Sequence, residues 1–308
     1  MTHLAQLARD WKAELEKFLE DATGVETVHR VRTGTRRVEA MVDVLMMEAA
    51  PQNPELDEAA ARWRSQLRKF RRAAAPVRDL DVHRQLLEKY AGVGKEGEKE
   101  HARQEQSEVE KQAATPEIKT ALERQAEQLD TWLKHARERN AGELTGQIKK
   151  RLDKLDGLAA EFASAWHTQR GRRKPVRKPA LAALDAFASL SEEIPLLDAS
   201  NLHDFRKGAK KARYVTEAGG DDDHAKAIGR AIKRVQDVIG DWHDWLCLAD
   251  EARIALAEEG KELRTMLDGE VARSFQTAKR TANRMRGRLM GEWQATRPVR
   301  RSPVTHSR

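Results

Sequence analysis

A chain of 308 residues with 39% hydrophobic side chains holds enough apolar material for a sizeable core, as one large domain or two of about 150 residues. Its single cysteine, Cys247, excludes an intrachain disulfide and fits a reducing, cytoplasmic setting. No apolar run of about 18 residues occurs and the opening Met-Thr-His-Leu-Ala-Gln passes straight into an amphipathic pattern, so neither a membrane span nor a signal peptide is expected.

The formal net charge of +7 comes from 57 basic and 50 acidic residues that are unevenly spread. Arg62 to Arg78 contains seven cations and no acid, and Thr168 to Pro179 six and none. Such blocks favour a polyanionic partner over plain solvation of helix faces. With 5% aromatics and few β-branched runs beside abundant Ala, Leu, Glu, Lys and Arg, the chain is expected to be all-α.

In chain order, an amphipathic helix is expected over about 4–20, with Leu7, Trp11, Leu15 and Leu19 on one side, and a second over about 26–49. A third over about 56–75 carries Arg64, Arg68, Arg71 and Arg72 and is expected to stop at Pro76, with a new helix opening at Val77. Residues 92–115 are nearly devoid of apolar side chains and read as a mobile loop or solvated arm. Helices of about 117–139 and 144–168 follow. The Pro- and Gly-punctuated basic stretch 169–179 is a linker, so 1–168 and 180–296 form two halves and 297–308 a disordered tail. The second half is expected to hold helices over about 180–192, 199–217, 222–239, 242–259 and 261–294.

Two of these helices share a pattern. His29 is followed by Arg32, Arg36 and Arg37, and His203 by Arg206, Lys207, Lys210, Lys211, Arg213 and Tyr214. At roughly 100° per residue, His29, Arg32 and Arg36 form one stripe, while Val31, Val38, Val42 and Leu45 turn away from it. In the second copy His203, Arg206, Lys207, Lys210 and Tyr214 share a face opposite Phe205, Ala209 and Ala212. Each helix therefore has an apolar side to bury and a cationic side to expose. The repeat continues: Arg71 stands ten residues before Asp81 as Arg234 stands before Asp244, and Arg230 and Lys233 precede Arg234 on its helix.

These residues, with Arg206-Lys-x-x-Lys-Lys-x-Arg-Tyr214 and Val235-Gln-Asp-Val-Ile-Gly-Asp-Trp-His-Asp244, resemble the CHAD domain, the conserved histidine α-helical domain, over nearly the whole chain. The resemblance implies two four-helix bundles related by a pseudo-twofold axis around a basic central cleft or pore that binds inorganic polyphosphate; with the composition, the expected reading is a binding module without catalysis, in the cytoplasm or at polyphosphate granules. It makes His29, Arg32, Arg36, Arg37, His203, Arg206, Lys207, Lys210, Lys211, Arg213 and Tyr214 the expected binding residues. Arg64, Arg68, Arg71, Arg72, Arg230, Lys233 and Arg234 are the basic positions that accompany them. Two features depart from the pattern. Gly34 and Gly208 sit inside the motif helices, where glycine costs roughly 1 kcal/mol relative to alanine, and Pro76-Val77 stands where the second half has Ile239-Gly240.

The chemistry agrees, since a linear polyphosphate presents charge without base edges. Guanidinium forks and ammonium groups along a groove are enough to hold it. Trp11, Trp132, Trp166 and Trp293 lie among apolar helical residues and read as core, leaving few exposed aromatics. Nucleic acid is the main competing partner, for basic helices alone do not separate phosphodiesters from phosphoanhydrides; no base-reading helix or stacking surface is evident, and non-specific binding remains an alternative. His243-Asp244 forms an HD dipeptide, as in metal-dependent phosphohydrolases, with Asp241, His83 and Asp237 as the nearby candidate ligands. A helix start with Asp244 as a positioning acceptor is the simpler reading, and no cofactor or metal is expected. Glu96-Gly-Glu-Lys-Glu100 does not match the alternating strand of polyphosphate-cleaving triphosphatases. Arg280, Arg284 and Arg288 form a further basic row that sequence alone does not assign to the cleft.

Overall fold

The computed structural model describes residues 2–49, 53–91, 116–168, 179–217 and 222–296. Among these the chain is all-α: α1 (Thr2–Glu20), α2 (Val25–Glu48), α3 (Pro54–Ala91), α4 (Pro116–Arg151), α5 (Lys154–Thr168), α6 (Pro179–Glu193), α7 (Leu202–Glu217), α8 (Asp223–Leu256) and α9 (Lys261–Ala295), with a 3-10 turn at Ala257–Gly260. The loop or arm expected over 92–115, the body of the basic linker (169–178) and the tail (297–308) lie outside the described residues. No described helix is long and apolar enough to cross a membrane.

Side chains start several of these helices. Asn53 Oδ1 accepts the Leu56 N–H at 3.2 Å and Asp222 Oδ1 that of His224 at 2.9 Å, satisfying donors that the first turn leaves without partners. Gln125 does this from another helix: its Oε1 accepts the Leu263 N–H at 2.9 Å, and its amide donates to the Glu259 carbonyl at 2.8 Å. That anchor steadies the turn in which Ala257 holds φ at 42°, a conformation L-residues adopt at a cost.

Three expected breaks are absent. Pro76 lies inside α3, where it removes one backbone bond, to the Arg72 carbonyl. The helix continues because Ala74, Val77, Leu80 and Leu87 are buried on both sides of it, while Pro76 itself is exposed. Gly240 likewise leaves α8 unbroken; it is buried between Ile239 and Trp242 on the packed face. The interruption expected near residue 140 falls instead at Leu152-Asp153, since Ala141, Leu144 and Ile148 are core residues and hold α4 through Gly142.

The chain forms two compact units, drawn differently from the 1–168 and 180–296 halves. The first comprises Met1–Pro175 with His243–Arg273, the second Val176–Trp242 with Ser274–Arg308. The physical reason is a core in which Leu80, Leu87, Leu129 and Leu133 pack with Trp245, Leu248, Leu256, Leu263 and Leu267. A second core in the same unit joins Trp11, Leu15 and Phe18 of α1 to Val31, Val38 and Val42 of α2, Leu67 and Phe70 of α3, and Phe162 and Trp166 of α5. Trp11 is its pivot, meeting Phe70 edge-on at 5.1 Å and donating its indole N–H to the Val31 carbonyl at 3.1 Å. Arg137 and Asp81 form a buried ion pair at 2.7 Å, and the same guanidinium caps the end of α1 through the Ala22 and Thr23 carbonyls at 3.1 and 2.9 Å.

In the second unit Leu184, Phe187, Phe205, Ala209, Ile232, Val235 and Trp293 are buried, with Phe187 edge-on to Phe205 at 5.8 Å. Arg286 of α9 closes the end of α6 by donating to the Ile194 and Pro195 carbonyls at 2.8 and 2.7 Å, its guanidinium 4.7 Å from the Phe205 ring centre.

Candidate functional site

The two histidine helices lie in different units, and each is built on the same local plan. α2 turns Val31, Val38, Val42 and Leu45 inward, and α7 turns Phe205, Ala209 and Ala212 inward, as their periodicity requires. The glycine five residues after each histidine lets the preceding helix approach. A Cβ on Gly34 would lie 2.4 Å from Trp11 Cδ1 of α1, and one on Gly208 2.4 Å from Leu190 Cδ1 of α6. The departures from helix propensity are thus contact points, shared by both copies.

On the polar side of α2 the expected binding residues divide into two groups. Arg32 donates to Asp79 at 2.7 Å, Arg64 to Asp43 at 2.7 Å, and Arg71 to Glu39. These three pairs run antiparallel along the α2–α3 seam and tie the helices together. Arg37, Arg68 and Arg72 are exposed with no carboxylate partner among the described residues, and Arg36 is half-buried. Exposed His29 lies 3.4 Å from the Thr33 hydroxyl. Its imidazole is held below the ordinary range, first by partial burial and then by Arg78, Arg32 and Arg36, against Glu26. Arg78, which sequence reading placed on a separate helix beyond Pro76, is therefore part of this group.

On α7 the arrangement differs. Arg206 donates through Nε to the Gln236 carbonyl of α8 at 3.0 Å, and its guanidinium packs on Gly240, where a Cβ would come within 2.7 Å of it. Gly240 is there for Arg206, a relation that no local signal discloses. Lys207 pairs with Asp204 at 2.9 Å and Lys233 with Asp237 at 2.5 Å, both within one helix and well exposed. Arg213 lies 3.5 Å from Glu217 and 5.1 Å above the Tyr214 ring. The Tyr214 hydroxyl is buried and without a hydrogen-bond partner. Lys211, Arg230 and Arg234 are exposed and Lys210 half-buried. Burial, followed by Lys207, Arg206 and Lys210 and opposed by Asp204, lowers the His203 imidazole below its ordinary value.

Among the described residues no three His, Cys, Asp or Glu side chains gather as a metal site. His83 is buried against Glu251 at 2.7 Å, and His243 sits 3.7 Å from Cys247 Sγ. Burial, then Glu251, Asp244, Asp79 and Asp250, pushes the Cys247 thiol up to about 12, which keeps it protonated and unreactive. Arg280, Arg284 and Arg288 are exposed on α9.

Among the described residues the chain is all-α, with two histidine-led basic helices, each backed by a glycine contact. A family model described as CHAD domain matches residues 2–253. The chain belongs to the CHAD domain family. No curated protein matches it by sequence.

Proposed function

We propose that the protein binds inorganic polyphosphate without catalysis, in the cytoplasm or at polyphosphate granules, through the cationic faces of α2–α3 and α7–α8. The reading includes the arrangement that the family resemblance implies, two four-helix bundles around a basic central cleft. The observation that carries it is the charge of α7. Five cations, Arg206, Lys207, Lys210, Lys211 and Arg213, stand against two acids, Asp204 and Glu217, on a helix whose other side is fully committed to the core. Membership of the CHAD family supports the same reading.

An extended groove engages many phosphates at once, so affinity falls steeply with salt and grows with chain length. The test is titration with long-chain polyphosphate, pyrophosphate, double-stranded DNA and single-stranded RNA at matched phosphate and physiological salt. Long polyphosphate is expected to bind tightest, and pyrophosphate weakest. Arg36→Glu combined with Lys210→Glu abolishes binding with helicity intact. Equal affinity per site for pyrophosphate overturns the extended groove.

A further inference from the structure

The strongest unassigned feature is the outer face of α9. From Ser274 to Met290 the sequence has five cations and no acid. One of them, Arg286, faces inward and caps α6. Arg280, Arg284 and Arg288 are exposed, spaced one helical turn apart, roughly 6 Å along the axis, and none has a carboxylate partner among the described residues. Asn283 adds a neutral donor to the same exposed side, and the space above Gly287 is open. Ala278, Ala282, Leu289 and Trp293 bury the opposite side, so the helix is fixed and its arginines are presented by a rigid element. The family match ends at residue 253, eight residues before α9 begins at Lys261, which sets this row apart from the α2 and α7 motifs.

We propose that this face of α9 is a second anion-binding surface, and that its ligand is double-stranded DNA held through the phosphate backbone. A convex helix with its side chains, about 10–12 Å across, matches a major groove about 12 Å wide. Its arginines reach phosphates bidentately. A flexible single strand needs aromatic platforms to stack on, and the face has none; an anionic membrane needs large apolar side chains beside the cations, also lacking. Binding is independent of sequence, because phosphate contacts position a protein without reading bases. The proposal does not depend on the polyphosphate reading.

The test is fluorescence anisotropy of a short DNA duplex with the full chain and the variant Arg280→Gln/Arg284→Gln/Arg288→Gln, across a salt series, with polyphosphate and single-stranded RNA measured alongside. Three lost phosphate contacts reduce the slope of log affinity against log salt by about 2.7. Between about 50 and 200 mM salt the wild type should therefore lose roughly 40-fold more affinity than the variant. Polyphosphate binding should change less than about twofold. Arg280→Lys/Arg284→Lys/Arg288→Lys, which keeps the charge, should keep most of the salt slope. Duplex binding that survives the glutamine variant overturns the proposal. So does equal weakening for polyphosphate or single-stranded RNA, which would make α9 part of one general anion surface. Circular dichroism on each variant separates these outcomes from misfolding.

Discussion

Between α2 and α3 the arginines Arg32, Arg64 and Arg71 each meet a carboxylate of the facing helix, whereas between α7 and α8 Arg206 meets a backbone carbonyl and a glycine. The four arginines of α2 are matched by four acids, Glu26, Glu39, Asp43 and Glu48, while α7 has five cations against two acids. The same motif is paired differently in the two copies. In the first copy three arginines are engaged in carboxylate pairs between helices; in the second the carboxylate pairs of Lys207, Arg213 and Lys233 lie within single helices. Exposed local pairs such as Lys207–Asp204 and Lys233–Asp237 are worth well under about 1 kcal/mol and open to competition by a multivalent anion.

The largest expected effect separates the copies at their shared glycine. Trp11 is 1% exposed and pinned by its indole hydrogen bond and by Phe70, so it has nowhere to go when Gly34→Ala adds a methyl group. Leu190 meets Gly208 mainly through its terminal methyl carbons, the nearer 2.4 Å from an added Cβ, which turn aside more easily than an indole ring. Gly34→Ala should cost about 3 kcal/mol and Gly208→Ala about 1 kcal/mol, read by urea denaturation. Equal costs would mean that the first contact relaxes as readily as the second.

Next in size is the ligand itself. Lys207→Gln/Lys210→Gln/Lys211→Gln should weaken polyphosphate by about tenfold or more, roughly 1.4 kcal/mol. Arg32→Gln/Arg71→Gln should act chiefly on stability, since it strands Asp79 and Glu39. Isothermal titration calorimetry with parallel thermal melts reads both. The opposite pattern would reverse the assignment of roles to the two copies.

A smaller effect isolates the ion pairs. Arg71→Gln removes a half-buried bridge between helices and should cost about 1 kcal/mol, whereas Lys233→Gln removes an exposed i,i+4 pair and should cost about 0.3 kcal/mol. Differential scanning calorimetry at low and high salt checks it, because the exposed pair is the more strongly screened.

What was legible follows from periodicity. The inward Val31, Val38 and Val42, and the inward Phe205, Ala209 and Ala212, are one-helix properties, so spacing places them. The basic positions were legible as positions but not as roles, since nothing near Arg64 or Arg71 in the chain announces Asp43 or Glu39 across the seam. Pro76 and Gly240 misled for the same reason: local propensity argues for a break, but Ala74, Val77 and Leu80 on one helix, and Ile239 and Trp242 on the other, are held by burial that outweighs it. The grouping of His243–Arg273 with the first unit was out of reach because it rests on contacts between Leu80, Leu129 and Trp245, residues far apart in sequence. Arg78 went unassigned as a consequence of the expected stop at Pro76.

The smallest and sharpest difference lies in the histidines. Both imidazoles are held below the ordinary 6.5, by burial first, then by cations. A histidine whose folded value is depressed leaves stability intact above pH 6.5 and removes it as pH falls through 6.5 toward the folded value, because the unfolded chain takes up the proton first. Free protein should therefore lose thermal stability from about pH 7 to pH 5. A bound polyanion reverses the local field, so binding should take up protons and strengthen from about pH 8 to 6. For His29 the field comes partly from the neighbouring helix, through Arg78, as well as from Arg32, Arg36 and the opposing Glu26; for His203 it comes from Lys207, Arg206, Lys210 and Asp204 on its own helix. Arg78→Gln should then raise the His29 value toward 6.5 and leave His203 where it was, as read by NMR titration of the ring protons. Calorimetric titration with polyphosphate in buffers of different ionisation enthalpy gives the proton count, and His29→Gln/His203→Gln should abolish the uptake. Uptake that persists in the double variant would place the titrating groups elsewhere and reduce both histidines to packing residues.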